Sequence, residues 1–191
     1  FTAGLSQAVA LAQGQGWPRF WRRWAQVAGA ALLVSAGSAL MFPKTFIYFG
    51  VLHGIAVMLI VVRLTAGWGR WLWPLGAAAI AVKFLAPVVI EAVPVLGVFN
   101  TPGLNALGFI SRLPVTEDYV PLLPWLGVMW WGVAAGQWAL NNRPAWLGAA
   151  DGPATGIRRG MAVLGRWSLS YYLLHQPVLI GLVTAFVWLR G

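Results

Sequence analysis

Five residues could do chemistry in places where polar groups are uncommon. His53, Lys83 and His175 lie inside long apolar runs, and the carboxylates Glu91 and Asp118 lie just outside such runs. A charged group in an apolar solvent costs at least about 2.5–3.5 kcal/mol, so it usually faces a polar cavity or a partner. A neutral histidine can take the proton from an attacking amine or hydroxyl. Lys83 is better suited to pairing with a carboxylate or facing a cavity than to reacting. His175 precedes Gln176-Pro177, and a proline frees the carbonyl one turn earlier, near Leu173. A single buried histidine is as often a hydrogen-bonded packing residue, so neither histidine defines a site alone.

Several familiar sites are excluded or weakened. The chain has no Cys, hence no disulfide, thiolate metal site or thiol catalysis. Gly14-x-Gly16 and Gly67-x-Gly69 lack the third glycine and the strand–helix setting of a dinucleotide loop. No HExxH or close histidine pair supports zinc, and no metal is expected. Ser168 and Ser170 lie near His175 in sequence, but no nucleophile elbow surrounds them. Each apolar run holds at most one histidine, which weakens haem ligation.

The elements that must carry these residues are membrane helices. Of 191 residues, 60% are hydrophobic and 9% charged, against about 25% charged in soluble domains. Thirteen Trp fit membrane–water interfaces, where a ring can be buried and its N–H stay wet. The net charge of +9 sits in short Arg clusters between apolar runs. That pattern reads as topology control and anionic-lipid contact, not nucleic-acid binding.

A span needs about 20 apolar residues. Phe1–Ala12 is too short and reads as the end of a helix, with upstream residues expected to be missing. Five spans follow, over about 24–42, 46–64, 71–90, 120–140 and 161–189. The fold expected is all-α: a polytopic bundle in one transmembrane domain, residues 1–191. Between Glu91 and Tyr119 runs a long connection in which 104–113 could form a short interfacial or re-entrant helix. Gly132 and Gly136 form a GxxxG pattern suited to close helix packing. Alternating the spans puts Arg19, Arg22, Arg23, Arg63, Arg70, Arg143, Arg158, Arg159 and Arg166 on one side. Only Lys44, Arg112 and Arg190 fall on the other, so the basic side is cytoplasmic by the positive-inside rule. The expected location is a bacterial cytoplasmic (inner) membrane, with the lipid bilayer as first partner. The Glu91–Tyr119 connection then faces outward.

Three segments are distinctive. They are Phe46-Ile-Tyr-Phe-Gly-Val-Leu-His-Gly-Ile55, Asp118-Tyr-Val-Pro-Leu-Leu-Pro-Trp125, and Gly165-Arg-Trp-Ser-Leu-Ser-Tyr-Tyr-Leu-Leu-His-Gln-Pro-Val178. In this order they resemble the heparan-α-glucosaminide N-acetyltransferase catalytic-domain family, among its bacterial transmembrane acyltransferase relatives. The resemblance implies transfer of an acetyl group from cytosolic acetyl-CoA to an amino sugar or glycan across the membrane. It implies that His175 matches the histidine of the family's last conserved helix and lines the acyl-donor path. His53 and Asp118, nearest the outer face, become candidates for acceptor binding, with Trp125 and Glu117 holding the sugar. Arg158, Arg159 and Arg166 become candidates for the CoA phosphates. Family members begin with an Arg-Gly helix and a His/Asp-bearing segment that this chain does not show, and the family's catalytic His is expected there. A second reading is a catalytically silent acyltransferase-like subunit, packed as a homo-oligomer or in a larger membrane complex. Transport or pigment binding is a third.

Overall fold

The computed structural model describes residues 1–143 and 156–190; within the last helix, the side chains of 157–159, 162, 166, 176, 177 and 180 stand outside the description. The chain divides into two compact units, Phe1–Leu147 and Gly148–Gly191.

Among the described residues, the first unit carries five α-helices: α1 (Thr2–Ala12), α2 (Trp17–Met41), α3 (Val51–Thr65), α4 (Leu72–Ala92) and α5 (Leu122–Asn142). Each boundary has a local cause. Pro18 sits in the first turn of α2, where its missing N–H costs nothing. Pro43 pushes Phe42 out of the helical region, to φ −133° and ψ 66°, and α2 stops. Gly69, at φ 56°, breaks the run between α3 and α4 inside a 3₁₀ turn, Ala66–Trp71. Leu123, before Pro124, is extended at ψ 128°, so regular α5 begins only after it.

The core is Ala8, Met58, Val62, Leu72, Leu126, Met129 and Val133. Small residues allow the close crossings around it. A Cβ on Gly132 would sit 2.1 Å from the Phe1 carbonyl oxygen, and one on Gly4 would sit 2.0 Å from that of Met129. A Cβ on Gly127 would sit 2.4 Å from the Gly76 oxygen of α4. The GxxxG pair thus serves the α1–α5 contact, with Gly136 against Ala8. Large apolar side chains point outward instead: Leu40 is 86% exposed and Phe84 68%. Such a surface is matched to lipid and not to water.

The second unit carries α6 (Gly156–Arg190), unbroken over 35 residues. The fold is all-α, with one isolated bridge, Phe49 to Tyr119, among the described residues. Among the described residues, two helical runs are long and apolar enough to cross a membrane, Trp17–Met41 and Val51–Ala92. The expected count of five spans goes beyond what these two runs carry. The helix expected over 104–113 is replaced by a single 3₁₀ turn, Asn105–Leu107, closed by Gly108 at φ 91°. Gly108 packs on the Leu123 backbone, where a Cβ would lie 2.1 Å from the carbonyl oxygen.

Candidate functional site

The first polar cluster forms at the start of α3. A helix N-terminus leaves backbone N–H groups without partners. Asp118 supplies one acceptor: its Oδ2 takes the Val51 N–H at 2.8 Å. His53 supplies another, its Nδ1 facing the Gly50 N–H at 3.4 Å. Gly50 makes room for this, since a Cβ there would lie 2.2 Å from Asp118 Oδ2. On the far side of the ring, His53 Nε2 lies 3.1 Å from Ser35 Oγ of α2. Ser35 gives its own proton to the Ile47 carbonyl at 2.5 Å. The network therefore assigns the imidazole proton to Nε2, donating to Ser35, with the Nδ1 lone pair accepting from Gly50. Ser38 completes the junction by accepting the Ile47 N–H at 3.0 Å.

A strap from the long connection lies along the loop between α2 and α3. Thr45 and Glu117 pair twice: the Glu117 N–H donates to the Thr45 carbonyl, and the Thr45 hydroxyl to Glu117 Oε1. The Thr116 hydroxyl donates to the Phe46 carbonyl at 2.8 Å. Asn105, 1% exposed, gives its side-chain amide to the Tyr48 hydroxyl at 2.7 Å and takes the Tyr119 hydroxyl on its backbone carbonyl at 2.6 Å. Burial, and then neighbouring Tyr48, push the Tyr119 phenol up to about 12, so it remains a donor at any ordinary pH.

Beside the strap is a cavity of about 300 Å³, lined among others by Lys83, Arg112, Tyr119, Pro121, Pro124 and Trp125. Trp125 offers a half-exposed ring, and the two cations and a phenol offer polar contacts. An aromatic face with hydrogen-bonding groups around it suits a sugar ring.

The other end of the unit is basic and aromatic. Arg63 is buried; it donates to the Gln15 carbonyl, and its guanidinium lies 5.3 Å from the Trp17 ring and 5.5 Å from the Phe20 ring. Within α6, His175 Nδ1 lies 2.7 Å from the Tyr172 carbonyl one turn back. A carbonyl only accepts, so Nδ1 carries the proton and Nε2 keeps its lone pair. The Tyr171 ring stacks on His175 at 5.8 Å and 13°.

The heparan-alpha-glucosaminide N-acetyltransferase catalytic family model matches residues 1–177. The chain belongs to this family. No curated protein and no solved structure matches significantly. The family match takes in all three distinctive segments, up to Pro177, and makes the chain a member of a membrane acetyltransferase family.

Of the residues singled out by sequence in this family member, His53, Asp118 and Glu117 gather around the start of α3 and its loop. Trp125 lines the neighbouring cavity, which Tyr119 shares. Lys83 reaches that cavity, whose lining among the described residues holds no carboxylate. His175 lies in the second unit. The side chains of Arg158, Arg159 and Arg166 lie outside the described residues. Sequence reasoning missed Ser35, Tyr48, Asn105 and Tyr119. Ser35 gives no signal, being one small polar residue in a helix rich in Ala, Gly and Ser. Tyr119 stands inside the Asp118–Trp125 motif, but a tyrosine in a connection carries no sign in sequence of the cavity it lines.

Proposed function

We propose that this protein transfers an acetyl group from cytosolic acetyl-CoA to a sugar or glycan on the opposite face of a bacterial cytoplasmic membrane. The family match over residues 1–177 carries this reading. The cavity with Trp125 supports a sugar-sized acceptor, and the exposed apolar helices support a bilayer setting. The acceptor nitrogen or hydroxyl oxygen attacks the thioester carbonyl. The new C–N or C–O bond forms as the C–S bond breaks, and CoA leaves as the thiol. A base holds the proton in transit, and His175 is our candidate, through Nε2. Arg158, Arg159 and Arg166 are our candidates for the CoA phosphates. Asp118, His53 and Glu117 shape the acceptor end, and Trp125 stacks on the sugar.

The test is calorimetry of acetyl-CoA binding to the full-length protein in detergent, with dephospho-CoA as control. Micromolar binding that weakens without the 3′-phosphate supports the reading. Absence of binding by the folded protein overturns it in favour of a silent subunit of a larger membrane complex.

A further inference from the structure

A cavity of about 340 Å³ lies where the end of α1 meets the start of α2, among the residues lining it Ser6, Gln13, Gln15, Arg19 and Arg23. A second cleft of about 270 Å³ adjoins it, lined by Arg19, Arg22, Arg23 and Gln26. The two clefts share Arg19 and Arg23, one helical turn apart. Like charges at that spacing repel, and an anion between them relieves the repulsion.

Nothing nearby in sequence neutralises these arginines. The four acidic residues are Glu91, Glu117, Asp118 and Asp151, so the first 90 residues contain no carboxylate. Arg63 adds a buried positive charge behind Gln15, a residue of the larger cavity whose carbonyl it holds. Its second guanidinium nitrogen, Nη1, is buried without a hydrogen-bond partner. Beside the arginines stand Trp17, Phe20, Trp21 and Trp24, packed ring against ring at 5.3 to 5.9 Å. Such an aromatic set belongs at a membrane–water interface. The ligand is therefore an anion that arrives at that interface and accepts several N–H donors. Guanidinium forks and glutamine amides match a phosphate group, whose oxygens accept in several directions.

We infer that the α1–α2 junction binds a phosphate group through Arg19 and Arg23, with Gln13 and Gln15 as further donors. Two sources offer that chemistry at an interface: the headgroup of an anionic lipid and the phosphates of a nucleotide. The site does not depend on acetyl transfer, because the probes below carry no acyl group.

The experiment uses the full-length protein in a zwitterionic detergent. Native mass spectrometry compares retention of phosphatidylglycerol with that of phosphatidylcholine, and calorimetry measures binding of adenosine 3′,5′-bisphosphate. The R19Q/R23Q variant should lose at least about tenfold in affinity for one or both anionic probes. The R19K/R23K variant should recover part of it, and Lys44→Gln, beyond the other end of α2, should change nothing. Loss confined to the lipid assigns a headgroup site; loss confined to the nucleotide assigns a nucleotide site; loss of both assigns a shared one. Equal binding of both probes by wild type and R19Q/R23Q, with helix content unchanged, overturns the inference. If the double variant does not fold, Arg23→Gln alone carries the same comparison.

Discussion

At the start of α3, His53 uses both ring nitrogens: Nε2–H points to Ser35 and the Nδ1 lone pair takes the Gly50 N–H. On α6 the assignment is reversed. His175 gives Nδ1–H to the Tyr172 carbonyl, and Nε2 has no partner among the described residues. A lone pair already engaged is a poor proton acceptor, whereas one held in place by a bond at the other nitrogen is poised to accept. The difference comes from the neighbours. His53 stands at a helix N-terminus, where unpaired N–H groups need an acceptor, and His175 stands mid-helix, where a carbonyl is at hand. The same residue type thus accepts a backbone N–H in one place and donates to a backbone carbonyl in the other.

The sharpest way to break this contrast is His175→Ala. We expect acyl transfer by the full-length enzyme to fall about 10²–10⁴-fold, with little change in thermal midpoint. Full activity in that variant removes His175 from the mechanism. The converse change, Gly50→Ala, should act on stability, because the added Cβ would meet Asp118 Oδ2 at 2.2 Å and push it off the α3 N-terminus. A loss of about 2 kcal/mol is expected, from the lost cap and local overpacking. Thermal unfolding in detergent measures it; an unchanged midpoint would show that Asp118 does not cap α3. Asp118→Ala and His53→Gln should each cost about 1 kcal/mol by the same measurement. Either variant abolishing transfer at unchanged stability would move the chemistry to the α3 end.

The smallest effect concerns Tyr119. Its folded value of about 12 lies above the ordinary 10, so the neutral phenol favours the folded state. That contribution is complete below pH 10 and is lost as pH rises from 10 to 12. Difference absorbance of wild type against Tyr119→Phe should show the Tyr119 ionisation near the upper value. Ionisation near 10 would mean that the strap is not closed over Tyr119 in solution.

Much of the fold was legible in the residues. The observed α2, α4, α5 and α6 fall within a few residues of the expected spans, apart from the start of α2, because apolar run length and flanking prolines act locally. α3 begins at Val51, later than expected, since Phe46–Gly50 is used to pair with the strap. The turn in place of a helix at 104–113 was not legible, because tertiary bonds of Asn105 and the Gly108 contact set it. For the site, residue types pointed to His53, Asp118 and His175. They could not say which histidine had a lone pair to spare.

By itself, then, the sequence determined the all-α class, the apolar helices and the family, since composition, periodicity and motif are properties of the chain alone. Only the tertiary structure decided that Asp118, 67 residues from Val51, caps α3 and that Tyr119 meets Trp125 in one cavity. Hydrogen-bond partners brought together by folding are set by three-dimensional distance, and spacing along the chain does not encode it.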